Sequence, residues 1–312
     1  MSDSLVLVEK YYEACGRGDA DVVRATLRED VTHYYLAPNI ASDPIRSAEH
    51  LARKVRKSAR MLGARWNVDR FIEQDDRAAI EWAMTWTPQG ASREIVTRGC
   101  EWFTFSDSRI AEVRSYHQVL TEPCGLHGFP YAARKYSCDG RESSVRQTPG
   151  GAPAKSRLPI IIDYYNACTA ADADLLQEFF TDDVVHYFLR PNLGSQPVAG
   201  AEHLARYWRK VARMLQARWV VESIIEQDDE AIVEWSMYNQ PQGVSERIVT
   251  RGTEWYVFEG DKIAEIRSYH RNLERSSALA DFPYDGRGFS VLGRESSVLH
   301  DAAATPYQIV SS

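Results

Sequence analysis

One stretch occurs twice in the chain, with an offset of 153 positions. Residues 95–117 read IVTRGCEWFTFSDSRIAEVRSYH, and residues 248–270 read IVTRGTEWYVFEGDKIAEIRSYH. Each copy alternates side-chain character with period two and breaks at a turn-like triplet, Ser106-Asp107-Ser108 or Glu259-Gly260-Asp261. Alternation on both sides of a turn predicts a long β-hairpin in each copy.

The same offset holds over most of the chain. It pairs Tyr11-Tyr12 with Tyr164-Tyr165 and the segment 141–145 with 294–298, and more than half of positions 11–117 are identical to their partners without a gap. A unit of about 145 residues can bury its own core, whereas a solenoid repeat cannot. We therefore predict two similar domains. They are placed at residues 1–146 and 157–300, with a Pro/Gly-rich linker at 147–156 and a tail at 301–312.

Each predicted domain has the same order of elements: helix, helix, strand, helix and then four antiparallel strands. Helical spacing is followed by period-two alternation, and the breaks fall at Gly, Pro and Asp residues. This order predicts an α+β fold.

Composition narrows the classes of partner. The net charge of −7 and a pI near 5.7 argue against nucleic acid or an anionic membrane, so we expect a small molecule or a protein. No stretch reaches the length of a membrane span, and the amino-terminal residues do not resemble a secretory leader. We therefore expect a cytoplasmic protein. The five cysteines form no CxxC pair and show no metal-ligand spacing.

The order of elements, the spacing of Tyr11 and Asp19, and the Glu-Trp-Phe-x-Phe run at 101–105 resemble the nuclear transport factor 2-like superfamily. That superfamily includes ketosteroid isomerase, scytalone dehydratase, limonene epoxide hydrolase and the SnoaL-like polyketide cyclases. The resemblance extends to about residue 120 in the first domain and to about residue 273 in the second. It implies two tandem cone-shaped domains, each a strongly curved, mostly antiparallel sheet wrapped by three helices and open onto an apolar pocket.

Within that topology, strand alternation assigns side chains to the pocket. If Glu101 matches the acidic residue of the isomerase pocket, period two brings two histidines to the same face. The candidate catalytic residues are Tyr11, His33, Tyr35, Glu101 and His117 in the first domain, and Tyr164, His186, Glu254 and His270 in the second. The candidate substrate-binding walls are Trp82, Met84, Trp86 and Phe103, and Trp235, Met237, Asn239 and Tyr256.

Burial determines the chemistry expected of these groups. A carboxyl group among aromatic rings loses hydration of its charged form, so the pKa of Glu101 should be raised and the group could donate a hydrogen bond. A neighbouring histidine could then move a proton, which suffices for dehydration, isomerisation or aldol-type cyclisation without a cofactor. The isomerase places its general-base aspartate at a position that here falls on Tyr35 or Phe188. The steroid-isomerase reaction itself is therefore not expected.

Three functions remain open from sequence. The preferred one is a cofactor-independent dehydratase, isomerase or cyclase acting on an apolar or aromatic, polyketide- or terpenoid-like molecule. The second is a non-catalytic binding protein, in which His33 and His117 would be satisfied core histidines. The third is a metal-dependent enzyme, because two histidines and a glutamate are the ingredients of a metal site, although no ligand spacing supports it.

The resemblance also implies a role for the outward face of each sheet, because in the superfamily that face usually packs against a second subunit. In a tandem chain we expect it to pack against the other domain, giving an internal pseudo-dimer with further homo-oligomerisation left open. The residues assigned to this contact are Glu81, Arg98, Trp102, Arg114 and Tyr116, and their counterparts Glu234, Arg251, Trp255, Arg267 and Tyr269. The Phe-Pro-Tyr segments at 129–131 and 282–284 either wrap the neighbouring domain or cover a cavity mouth. The two pockets differ by Lys54 to Tyr207, Val55 to Trp208, Tyr35 to Phe188 and Trp86 to Asn239, so their ligands or roles should differ.

Overall fold

The computed structural model describes residues 2–39, 42–138, 143, 151–153, 155–191 and 196–303. Half of the predicted linker (147–150 and 154), the segment 141–145 apart from Ser143, and residues 304–312 of the predicted tail lie outside the described residues. None of the helices in the described ranges has the length and apolar content needed to cross a bilayer.

The two halves of the chain contain the same series of elements, as the duplication predicts. The first half comprises α1 (Asp3–Arg17), α2 (Ala20–Thr26), β1 (Leu27–Ala37), β2 (Ile45–Arg46), α3 (Ala48–Leu62), β3 (Arg65–Gln74), β4 (Arg77–Trp86), β5 (Ile95–Ser106) and β6 (Arg109–His117). The second half comprises α4 (Leu158–Ala170), α5 (Ala173–Glu178), β7 (Phe180–Phe188), β8 (Val198–Ala199), α6 (Ala201–Leu215), β9 (Arg218–Gln227), β10 (Glu230–Asn239), β11 (Ile248–Glu259) and β12 (Lys262–His270). It continues with β13 (Ala278–Leu279), a 3₁₀ turn at Asp285–Arg287 and α7 (Val298–Ala303), so the predicted tail begins inside a helix.

Local sequence explains where the helices begin and end. Asp19 accepts a hydrogen bond from the Val22 amide at the start of α2, and Ser47 does the same for His50 at the start of α3. Gly18 ends α1 in the left-handed conformation at φ 65°, which costs glycine little because it has no Cβ.

Each half forms one curved, open sheet. The strand order is β13-β1-β6-β5-β4-β3 in the first sheet and β8-β7-β12-β11-β10-β9 in the second. The β1–β6 and β7–β12 pairs are parallel, and the other neighbours are antiparallel. Register shifts in the β1–β6, β3–β4 and β5–β6 pairs recur in the β7–β12, β9–β10 and β11–β12 pairs, and such bulges bend a sheet. The predicted fold class, two tandem α+β domains, is confirmed.

The sheets pack against each other through their outer faces. Arg114 donates from Nε to Glu234 Oε1 at 2.7 Å, and Arg267 donates from Nε to Glu81 Oε1 at 2.8 Å. All four side chains are buried, and each pair joins the two halves, although each arginine also pairs with a glutamate of its own strand. Trp102 also contributes to the contact between the sheets, because its indole Nε1 donates a 2.9 Å hydrogen bond to a threonine hydroxyl of the other half.

Two arginines assigned to this contact do not cross it. Arg98 pairs with Asp69 at 2.9 Å and lies over the ring of Tyr131, both in its own half. Arg251 likewise pairs with Glu222 at 3.3 Å inside the second half. The prediction was wrong for these two because period two fixes the face of a strand but not how far along it the neighbouring sheet extends.

The Phe-Pro-Tyr segments wrap the neighbouring half. The ring of Phe129 lies 5.1 Å from that of Tyr187, and the ring of Phe282 lies 5.1 Å from that of Tyr34. β13 extends the exchange, because it pairs with the end of β1 in the first sheet. Each carboxyl-terminal segment therefore packs on the other half.

Candidate functional site

The first half holds a cavity of about 260 Å³ between its sheet and α1 and α3. Aromatic and aliphatic side chains form most of its wall. The polar and aromatic residues that line it are Tyr11, Tyr12, His33, Tyr35, Asn39, Lys54, Ser58, Trp66, Trp82, Trp86, Glu101 and His117.

Strand register brings the titratable groups together. Glu101 on β5 lies opposite Ser115 on β6, and Tyr35 on β1 is the parallel partner of Ser115 from the other side. His117 lies opposite Gly99. A Cβ at Gly99 would come within 2.6 Å of the His117 Cβ, so a glycine is needed for this imidazole to sit where it does.

A chain of hydrogen bonds runs through Glu101. The Tyr12 hydroxyl donates to one carboxylate oxygen, and the Ser115 hydroxyl donates to the other. His33 Nε2 lies 2.7 Å from Ser115 Oγ and 3.7 Å from Glu101 Oε1. Ser115 has one proton to give, so while it donates to Glu101 the His33 Nε2 must donate to Ser115. Protonation of the carboxyl group and the tautomer of His33 are therefore linked.

Burial shifts the titration of all three groups. It raises the pKa of Glu101 to about 7, although the hydrogen bonds from Ser115 and Tyr12 oppose the shift. Burial, with the charge of Lys54, lowers the pKa of His117 to about 4. The pKa of His33 is also well below its usual value, mainly through burial. At neutral pH the cavity thus combines two uncharged imidazoles with a carboxyl group poised between its two forms.

The second half repeats this chain of hydrogen bonds, with one additional donor to the carboxylate. Tyr165 donates to Glu254 Oε2 at 2.6 Å, Ser268 donates to Oε1, and His186 Nε2 lies 2.6 Å from Ser268 Oγ. Tyr256, which replaces Phe103, adds a third donor to Glu254 at 2.5 Å. Burial raises the pKa of Glu254, and the three donors oppose that shift.

The second cavity is in contact with only part of this chain of hydrogen bonds. Its volume is about 410 Å³, and Glu254 and His270 lie in its wall. Trp208, which replaces Val55, lies with its ring 5.3 Å from that of His186, and His186 has no exposed surface and does not line the cavity. The larger indole separates the imidazole from the space where a ligand would bind.

Most of the candidate residues line the two cavities. Tyr11, His33, Tyr35, Glu101 and His117 do so, together with the walls Trp82, Met84 and Trp86. In the second half Glu254, His270, Trp235, Met237 and Asn239 line the cavity.

Four candidates are absent from the cavity walls. Phe103 is fully buried in the core against Tyr12 and Phe105. Tyr164, His186 and Tyr256 are also fully buried, in the core of the second half. Residues on the inward face of a strand can lie behind the cavity as well as beside it, and alternation does not separate the two positions.

Two residues of the site, Tyr12 and Ser115, were not among the predicted ones, and Lys54 was predicted only as a difference between the two pockets. Tyr12, not Tyr11, bonds to Glu101, and Tyr11 is instead hydrogen-bonded to Cys15. Ser115 links the carboxyl group to His33, and Lys54 brings an ammonium group to the wall. The repeated Tyr-Tyr pair and the repeated Ser-Tyr-His run were the available signals.

The metal alternative does not fit the donor set. Across the described ranges no group of three or more His, Cys, Asp or Glu side chains could hold a metal ion. His33 Nε2 is engaged with Ser115, and both carboxylate oxygens of Glu101 accept hydrogen bonds.

The sequence pattern of the SnoaL-like domain matches residues 8–113 and again residues 161–266. The chain belongs to the SnoaL-like family. The resemblance predicted from sequence is confirmed, with two tandem copies of the domain.

Several solved structures are similar to single SnoaL-like copies of this chain. A protein of unknown function with a cystatin-like fold from Methylobium petroleophilum is 25% identical, with a TM-score of 0.34, covering 47% of this chain and 95% of its own. A putative polyketide cyclase from Xanthomonas campestris is 24% identical, with a TM-score of 0.32 over 36% and 88% of the two chains. An LEH-like epoxide hydrolase from M. tuberculosis is 21% identical, with a TM-score of 0.32 over 37% and 83%. No functionally curated protein matches the chain.

Proposed function

We propose that the first SnoaL-like half is a cofactor-independent acid–base enzyme of the dehydratase, isomerase or cyclase kind. Its substrate would be an apolar or aromatic molecule of polyketide or terpenoid type. The observation that carries the proposal is the Tyr12–Glu101–Ser115–His33 chain at the wall of an aromatic cavity that also holds His117.

The reactions of this class share one step, proton transfer at a carbon next to a carbonyl group. A neutral imidazole has a ring nitrogen with a free lone pair, and His117 could accept the carbon proton there. Glu101, protonated below about pH 7, would give a proton to the carbonyl oxygen, so that an enol forms without net charge. The pKa separation between His117 and Glu101 supports this division of roles.

We assign turnover to the first half alone. In the second half Trp208 separates His186 from the cavity, and Tyr256 ties the Glu254 carboxylate to a third donor. Both changes favour a ligand-binding cavity without proton transfer, which retains the non-catalytic alternative for that half.

The duplication provides a matched test. The α-protons of 2-tetralone, an aromatic ketone, would be followed by NMR as they exchange with deuterated buffer. The His117→Ala and Glu101→Gln variants should lower protein-dependent exchange by about one hundredfold or more. Their counterparts His270→Ala and Glu254→Gln should leave it within about twofold. Exchange by the wild type no faster than in buffer, or equal loss in both sets of variants, would refute the assignment.

A further inference from the structure

Lys54 is the only cationic residue among the described residues lining the first cavity. It extends from α3, and its Nζ lies 4.2 Å from the centroid of the Tyr35 ring. That ring stacks on His33 at 4.1 Å, so the ammonium group, the phenol and the imidazole form one side of the cavity. Burial lowers the pKa of Lys54.

The charge of Lys54 makes no ion pair with a carboxylate of the described residues. Glu101 is the acidic residue of the cavity wall, and its two oxygens accept from Tyr12 and Ser115 instead. Asp43 raises the pKa of Lys54 through its charge, but it is exposed and does not line the cavity. An ammonium group at the wall of an apolar space, with no carboxylate in ion-pair contact, leaves room for a negative ligand atom.

We infer that the substrate of the first half carries an anionic oxygen, as a carboxylate, phenolate or acidic enol on an aromatic framework, and that Lys54 binds it. This inference rests on the proposed function in that it calls the ligand a substrate. The binding that it requires does not depend on turnover. The aromatic wall would hold the ring system, and the ammonium group would fix which end of it lies next to His33.

The second half has no lysine at this position. Its counterpart of Lys54 is Tyr207, a neutral side chain that also lines its cavity. The lysine of that cavity wall, Lys210, is exposed and is the counterpart of Lys57. The chain therefore shows that a tyrosine is accommodated at this position of the fold, and Lys54→Tyr is a variant that should fold. It also provides the reverse experiment, because Tyr207→Lys would place a lysine in the second cavity at the position that Lys54 has in the first.

The test compares 2-naphthoate with 2-naphthamide, two probes of the same shape that differ in charge. Binding to the full chain would be measured by calorimetry at pH 7. The wild type should bind the naphthoate more tightly, and Lys54→Tyr should weaken naphthoate binding by about ten- to one-hundredfold while changing naphthamide binding by less than about threefold. Tyr207→Lys should add a second naphthoate site.

The control is Lys57→Met, which removes one charge from an exposed position of the same helix, outside the cavity wall. It should leave both affinities within about twofold, because exposed charges are screened by solvent. The inference is wrong if the wild type binds neither probe or does not prefer the naphthoate. It is also wrong if Lys54→Tyr and Lys57→Met weaken naphthoate binding equally. Because these measurements are independent of tetralone exchange, either proposal can fail while the other stands.

Discussion

Replacing Glu101 by Gln should make the protein more stable at alkaline pH while it loses proton transfer. The pKa of Glu101 is about 7 in the folded chain, against an ordinary value of 4.5. The folded state therefore holds this proton more tightly than the unfolded state, and the group's contribution to stability falls as the pH rises from 4.5 through 7. Between pH 5 and pH 8 the loss amounts to about 2 to 3 kcal/mol. Glutamine has the same shape and does not titrate.

The measurement is urea denaturation of wild type and variant at pH 5 and pH 8, followed by tryptophan fluorescence. The free energy of unfolding of Glu101→Gln minus that of the wild type should rise by about 2 to 3 kcal/mol between the two pH values, since all other titrating groups cancel in the difference. Glu254→Gln is the control, and its rise should be smaller because three donors stabilise that carboxylate. A difference that stays constant or falls with pH would show that Glu101 is ionised in the folded protein at pH 5, contrary to its burial.

Three other substitutions test the packing around the site. Val55→Trp should separate His33 from the first cavity, as Trp208 separates His186 from the second, and lower tetralone exchange by about tenfold or more, as measured by NMR. Gly99→Ala places a Cβ 2.6 Å from that of the facing histidine, so it should cost about 1 to 3 kcal/mol in urea denaturation and displace the imidazole, with exchange falling alongside; unchanged exchange would contradict this. Arg114→Met should lower the free energy of unfolding by about 3 to 5 kcal/mol because it leaves Glu234 buried without its arginine, and adding Glu234→Gln should recover part of the loss.

The fold could be predicted in detail because two kinds of signal agreed. The constant offset determined the number of domains, and the breaks at Gly, Pro and Asp residues indicated the order of helices and strands. Period two also placed His33, Glu101 and His117 on one face, because alternation along a strand has only two outcomes. The structure brings all three to the wall of one cavity.

The residue that α1 directs to Glu101 was harder to predict than the faces of the strands. Tyr11 and Tyr12 are both buried, and a rotation of about 100° per residue separates them, so hydrophobic spacing could not decide which hydroxyl meets Glu101. The role of Trp208 was also beyond the sequence. Its replacement of Val55 was visible, but whether the indole fills the cavity or leaves it depends on a rotamer.

The crossed carboxyl-terminal segments have a consequence for how the protein could be divided. Residues from each half complete the surface of the other, including Arg134 with Glu265 and Arg287 with Glu112. If the chain were cut between the halves, each fragment would expose its carboxyl-terminal segment. Each would also expose the surface that the other fragment's segment normally covers. Such fragments should associate when mixed and form the same two-domain structure. The peptide link between the halves then acts mainly by raising their effective concentration, while the contacts themselves specify the arrangement.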